Sequence, residues 1–303
     1  MNQEFLFIIA IIAFGYFLKR VNVLQEKDGE VIATLIFKVT LPALVLVTFD
    51  SVQIETSLIL IPILVIGYGF VISALGLIFF KNEENELKGS FLMLASSFNV
   101  GLFAFPIVHM IWGTMGLTYF SMFDVGTSFI TFALAYILGS YFSKGGLSLK
   151  PMEILKTLGK SIPLMTYLIA VTLNLLQIKL PSGVIEVASI LSEANIPLSL
   201  LLLGIYMSFK LDKRLLRPIS KFILFRYSFG LLLGLGLFFL LPYDDMFRYT
   251  IFIGFLLPAA AVVIPFAVEF NYSNDSIRII ASVTNISIFI GIFILFLFAN
   301  FIA

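Results

Sequence analysis

Cysteine is absent from the chain, which excludes disulfides, thiolate metal sites and thiol nucleophiles together. A single histidine, His109, falls equally short of a zinc site, because three or four N, S or O ligands must cluster around that metal. Charge is scarce as well: 12% of the 303 residues are Asp, Glu, Lys or Arg, and the formal net charge is +1. A nucleic-acid partner is therefore not expected, since neutralising phosphates needs a basic excess on one face. No Walker loop, haem ligand pair or nucleotide fingerprint occurs, so neither cofactor nor metal is expected, and any driving energy must come from a gradient. The polar catalytic cluster required of a membrane enzyme is missing too, so no catalytic residue is assigned.

What is abundant is apolar. Sixty per cent of the residues are hydrophobic, 34 of them Phe, and the polar residues gather in short clusters between runs long enough to cross a ~30 Å hydrocarbon core. The Phe content reads as lipid-facing and packing surface rather than a cofactor box. This pattern predicts an all-α integral membrane protein with ten transmembrane helices, at about 4–20, 32–49, 57–80, 89–112, 116–142, 161–178, 184–209, 218–241, 246–269 and 276–302. The first run, Phe5 to Leu18, is preceded by Glu4 and followed by Lys19 and Arg20, the reverse of a signal peptide, and is expected to be a mature span.

Lys and Arg set the orientation, because cytoplasmic loops retain them. Fifteen of the nineteen fall in alternate connections (among them Lys27, Lys88, Lys144, Lys150, Lys160, Lys210, Arg217 and Arg278), and only Lys179 and Arg248 fall on the other side. Lys38 and Arg226 lie inside spans, where they are expected to snorkel toward the cytoplasmic ends. Both termini should thus face outward. The stretch 144–160, with Gly145, Gly146 and Pro151, reads as a cytoplasmic linker between a first five-helix repeat, 1–143, and a second, 161–303. Because five is odd, a duplicated unit must insert upside down, which gives a 5+5 inverted repeat.

Prolines test that symmetry. Pro42 in span two matches Pro197 in span seven, and Pro106 in span four matches Pro265 in span nine; the separations are 64 residues from Pro42 to Pro106 and 68 from Pro197 to Pro265. Asn99 and Pro106 are seven apart, as are Pro258 and Pro265. Proline inside a helix removes a hydrogen bond and clashes with the preceding turn, at ~3 kcal/mol. Non-helical backbone at membrane depth is tolerated only where protein or a water-filled cavity surrounds it. Spans four and nine are therefore expected to be broken helices that cross, with second halves starting near Pro106 and Pro265. Each half-helix N-terminus carries roughly half a positive charge, so two such ends meeting at one point would hold an anion. The plainer alternative is a pair of packing kinks, which membrane helices often contain.

Several of these segments resemble the auxin efflux carrier family. The run Leu191-Ser192-Glu193-Ala194-Asn195-Ile196-Pro197-Leu198-Ser199, followed by the leucines to Gly204, is similar to that family's seventh span. Leu41-Pro42-Ala43-Leu44, Asn99-Val100-Gly101 with Pro106, Asp124-Val125-Gly126, and Leu257-Pro258-Ala259 through Pro265 also look like it, in order and across the whole chain. Two positions depart: Thr127 stands where bacterial relatives often carry Asn, and Glu193 where small or neutral residues are usual. The resemblance implies a secondary transporter with substrate near the crossing of the broken helices and elevator-like movement of one domain against a scaffold. It also implies a carboxylate cargo of the malate or malonate permease type, and family analogy is compatible with a homodimer. A bacterial cytoplasmic membrane is the expected location, and a small organic anion and the lipid bilayer are the expected partners.

Candidate site residues follow. Asp124 lies roughly 12 Å below the outer end of span five at 1.5 Å per residue. An ionised carboxylate at such depth costs ~2.5 to 3.5 kcal/mol, so it should face a cavity, pair, or hold a proton. It is read as a proton or cation coupling site, with a structural hydrogen-bond role as the alternative. Asn99 offers two donors and two acceptors at the break, suited to a carboxylate or to freed backbone. Thr284 and Asn285, with Ser282 and Ser287, lie at similar depth in span ten, where small polar residues also serve close packing. Asn195, Gly101, Pro106, Pro258 and Pro265 complete the expected substrate-binding set, and Pro42, Pro106, Pro197 and Pro265 the helix breaks. His109 reads as a satisfied polar residue near Trp112 rather than a proton shuttle. Two other readings stay open: a sodium-coupled organic anion symporter of the bile acid carrier type, and a non-transporting membrane sensor with the same pocket.

Overall fold

A computed structural model describes residues 2–146, 151–208 and 213–301. Residues 147–150 of the expected linker, with Lys150, and Lys210 lie outside the described residues. All regular structure among the described residues is helical, as hydrocarbon demands of a chain whose backbone groups must be satisfied within each segment. Six helical stretches are long and apolar enough to cross a membrane: Glu26–Ser51, Thr56–Phe79, Val100–Tyr141, Ser182–Tyr206, Leu216–Leu240 and Asn274–Phe298.

The helices sort into two packed groups. The first contains α1 (Asn2–Arg20), the α2 (Glu26–Leu35) and α3 (Leu41–Ser51) pair, α9 (Ile162–Leu175), α10 (Ser182–Glu193) and α11 (Asn195–Tyr206). Here α1 lies along α11, while α3 packs on both α9 and α10. The contact of α1 with α11 is backbone on backbone: a Cβ on Gly204 would strike the Ile12 carbonyl, and one on Gly15 would strike that of Leu201. Asn174 ties the same group together at its far end, donating to the Phe49 and Val52 carbonyls at 2.5 and 2.6 Å.

The second group contains α4 (Leu60–Phe79), α5 (Asn85–Ala95), α6 (Phe105–Phe129), α7 (Tyr136–Tyr141), α12 (Leu216–Leu240), α13 (Asp245–Gly254), α14 (Val263–Glu269) and α15 (Asn274–Phe301). α4 packs on α6, α5 on α7 and α15, and α13 on both α12 and α6. α6 folds back on itself at Gly113, whose φ of 60° and ψ of −145° lie in a region open only to glycine. Trp112 on one arm consequently stacks on Phe120 of the other, with ring centroids 6.5 Å apart. The expected linker is not all loop, because α8 (Pro151–Lys160) occupies its second part.

Proline produces two different local structures. Pro42 follows a π-helical turn, Ile36–Thr40, and is the second residue of α3; Pro197 sits in the first turn of α11, directly after the one-residue turn at Ala194. In both places the chain bends and continues. At spans four and nine it leaves the helix altogether, over 96–99 and 255–262. The interruptions lie upstream of the prolines expected to cause them. Helix resumes as a π-turn at Val100–Ala104, so that Pro106 is the second residue of α6, and Pro265 is the third residue of α14. For Pro265 this is a first turn, where a missing N–H costs nothing because that donor has no intrahelical partner anyway, whereas Pro106 follows a π-turn as Pro42 does.

Candidate functional site at two interrupted helices

The two interruptions touch. The Asn99 N–H donates to the Pro258 carbonyl at 2.8 Å, joining the backbone of one break to that of the other. Ser287 of α15 accepts the Ala259 N–H through its hydroxyl at 3.1 Å. Pro258 is further pinned by Gly291, where a Cβ would lie 2.7 Å from its ring. Freed backbone groups thus find protein partners, as burial away from water requires.

Four of the freed carbonyls converge on one side chain. Arg226 of α12 is fully buried, and its Nη1 donates to the carbonyls of Leu94 and Ala95, the latter at 2.9 Å. Its Nη2 donates to Ser97 at 2.9 Å and Leu257 at 3.0 Å, so the guanidinium spans both breaks. The Phe98 ring lies beneath it, 4.7 Å from centroid to guanidinium carbon. Arg226 therefore does not snorkel. Helix C-terminal carbonyls carry partial negative charge, and a planar fork of five donors meets several of them at once. An arginine in mid-run with no acidic residue at helical spacing was the available sequence signal.

Beside the crossing, and between the two helix groups, lies a cavity of about 1320 Å³. Asn99, Gly101, Asp124, Pro265, Thr284 and Asn285 all line it, so six of the expected site residues come together there. Pro106, Pro258 and Asn195 do not line it; Pro258 serves the crossing, and Asn195 is buried between α11 and span two, donating to the Thr40 hydroxyl at 3.1 Å. Of the helix-break prolines, Pro42 and Pro197 also lie off the lining. His109 is not a lining residue, and Glu193 is exposed at the end of α10.

Asp124 is buried and accepts a 2.6 Å hydrogen bond from the Tyr167 hydroxyl, which reaches across from α9 in the other helix group. Thr127, Ser128 and Thr131 follow at three-, four- and seven-residue spacing on the same cavity-lining face. The hydroxyls of Thr127 and Thr131 are buried without a hydrogen-bond partner among the described residues. Helical spacing from Asp124 makes this stripe readable in the sequence, where Thr127 stands out only as a departure from the family pattern and Ser128 and Thr131 carry no other signal. Thr284 spends its hydroxyl on the Ile280 carbonyl at 2.9 Å, whereas Asn285 accepts the Ser208 N–H at 2.9 Å and so also links the two groups. Lys38, expected to snorkel, instead presents an exposed side chain to the cavity, as do Lys27, Lys160 and Arg278 nearer its mouth. Glu26 and Glu30 share that mouth. The walls between these polar groups are apolar, including Phe37, Leu41, Phe132 and Phe289.

Long apolar helices, two interruptions in contact and a half-open cavity between two helix groups define a multi-pass membrane transport protein. The family model for membrane transport proteins matches residues 2–161, just over half of the chain. The chain belongs to this family, that of the auxin efflux carriers. An uncharacterized transporter of Methanocaldococcus jannaschii is 26% identical over 214 residues, covering 67% of this chain and 68% of the relative. Another uncharacterized transporter, from Methanothermobacter thermautotrophicus, is 22% identical over 279 residues and 90% of each chain.

Proposed function

We propose that the protein is a secondary carrier that moves a small organic anion, a mono- or dicarboxylate, across a bacterial cytoplasmic membrane. One observation carries this reading: the cavity brings Lys38, Asn99 and the orphaned Thr127 and Thr131 hydroxyls around a largely apolar space beside the crossing. A carboxylate needs a cation and several donors, and its carbon skeleton needs apolar walls. Helix N-termini at Val100 and Val263 add partial positive charge, the second weakly because α14 has only seven residues.

In this reading the ten spans form a 5+5 inverted repeat with both termini outside. The cavity mouth, at Lys27, Lys160 and Arg278, belongs to the lysine-rich cytoplasmic side, so the state described is inward-facing. Alternating access follows if the group containing the crossing slides as a unit against the group containing α1, α3 and α9 to α11, as an elevator. Asp124 and Tyr167 then face each other across the sliding boundary, where protonation of the carboxylate would change the link.

Uptake of labelled mono- and dicarboxylates into proteoliposomes tests the reading. Saturable uptake is expected, with Lys38→Gln raising KM about tenfold or more, the size of one lost charge-assisted contact. Folded protein that moves none of these anions would overturn it and would favour a sensor. For the coupling role, flux by Asp124→Asn across pH is the measurement: an unchanged rate and pH profile would remove Asp124 from the mechanism.

A further inference from the structure

Arg226 has an environment unlike that of an ordinary buried ion. Among the described residues no carboxylate lies within ion-pair distance of it. Its counter-charge is made of backbone carbonyl oxygens, Leu94, Ala95 and Ser97 from one interrupted helix and Leu257 from the other, with the Phe98 ring beneath. Carbonyl oxygens from unwound backbone and half-helix C-termini, gathered at one point in a membrane protein, are the donor set that holds a bare monovalent cation. Here that place is taken by the protein's own side chain, and the position does not line the cavity.

We propose that Arg226 is the resident cation of the crossing: its guanidinium fills a carbonyl cage that would otherwise require a bound monovalent ion. The two interrupted helices are then held together without any soluble cation, and the driving ion that such a cage could have coupled to transport is replaced by a covalently attached charge. Nothing in this depends on the identity of the cargo. Charge and donor geometry both matter in it, which separates it from a packing role. A well-packed neutral side chain can equal or exceed a buried ion in stability, so the alternative is a real one.

The test is thermal unfolding of the purified full chain, and it needs no substrate. Arg226→Ala should unfold several degrees below wild type and should regain part of that loss, saturably, in low millimolar guanidinium chloride. Urea, a neutral molecule of nearly the same shape, should restore nothing. Wild type should gain nothing from either. Arg226→Ala that ignores guanidinium, or responds equally to urea, overturns the proposal. Should Arg226→Ala give no folded protein, Arg226→Lys and Arg226→Met decide the question. Lys keeps the charge with poorer geometry and should unfold above Met; Met equal to or above Lys overturns the proposal. Because these readouts are independent of flux, failure of the carboxylate reading leaves them intact, and their failure leaves the carboxylate reading intact.

Discussion

Pro42 and Pro197 sit in helices that bend and continue, whereas Pro106 and Pro265 sit just after helices that stop. The residue is the same, so proline is not what distinguishes the two outcomes. The difference lies in what surrounds the backbone. Around Pro42 and Pro197 the helical backbone carries on through a π-turn or a one-residue turn, with the Leu198 N–H donating to the Ala194 carbonyl at 3.2 Å. Around the stops, side chains from other helices take over: Arg226 accepts the role for four carbonyls and Ser287 for an amide. An interrupted helix in hydrocarbon is thus specified from outside itself, by α12 and α15, more than by its own sequence.

That contrast can be broken or sharpened by mutation. The largest loss is expected outside the crossing, at Gly204→Leu, where a side chain must displace the Ile12 and Tyr16 backbone. Folded yield after size-exclusion chromatography should fall to a small fraction of wild type, as overpacking against fixed backbone implies. Next, Ser287→Ala strips the Ala259 N–H of its partner and should destabilise by about 1–3 kcal/mol, read as a lower unfolding midpoint. Pro106→Ala should stay within about 1 kcal/mol of wild type, because the stop at 96–99 lies a full turn or more upstream of the proline and is imposed by other helices. A large loss there would return the cause of the break to proline itself.

The smallest effect concerns a link outside the spans. Glu86 accepts the Ser273 N–H at 2.8 Å, and this bond, helped by Lys144, holds its carboxyl below the ordinary value of 4.5. A depressed acid contributes stability above its unfolded-state value and loses it as pH falls through the lower folded-state one. Wild type should therefore exceed Glu86→Gln by less than about 1 kcal/mol at neutral pH, and the gap in unfolding midpoint should close as pH falls below 4.5. A gap that persists in acid would assign the effect to packing.

The helical segments were legible because apolar runs bounded by charge are a direct imprint of bilayer thickness, and Asn99 and Asp124 stood out as polar residues at depth. Other parts were not legible, for reasons that differ. Arg226 and Lys38 both looked like long side chains reaching for an interface, since sequence gives the depth of a residue but not the face that its helix turns inward. The second halves do start near Pro106 and Pro265, because proline marks where a helix can begin again, but the extent of the unwound backbone before them, 96–99 and 255–262, has no such marker. The Asp124–Tyr167 bond joins residues 43 apart on different helices, and no local pattern encodes such a pair.

Gly113 carries a mechanical consequence. Its fold-back joins the arm bearing the crossing directly to the arm bearing Asp124, with Trp112 stacked on Phe120 between them. In the sliding motion proposed above, the interrupted helix and Asp124 would move together, and a passenger resting against both would feel no change between them. What would change along the proposed path is the opposite wall, where Tyr167 belongs to the other helix group.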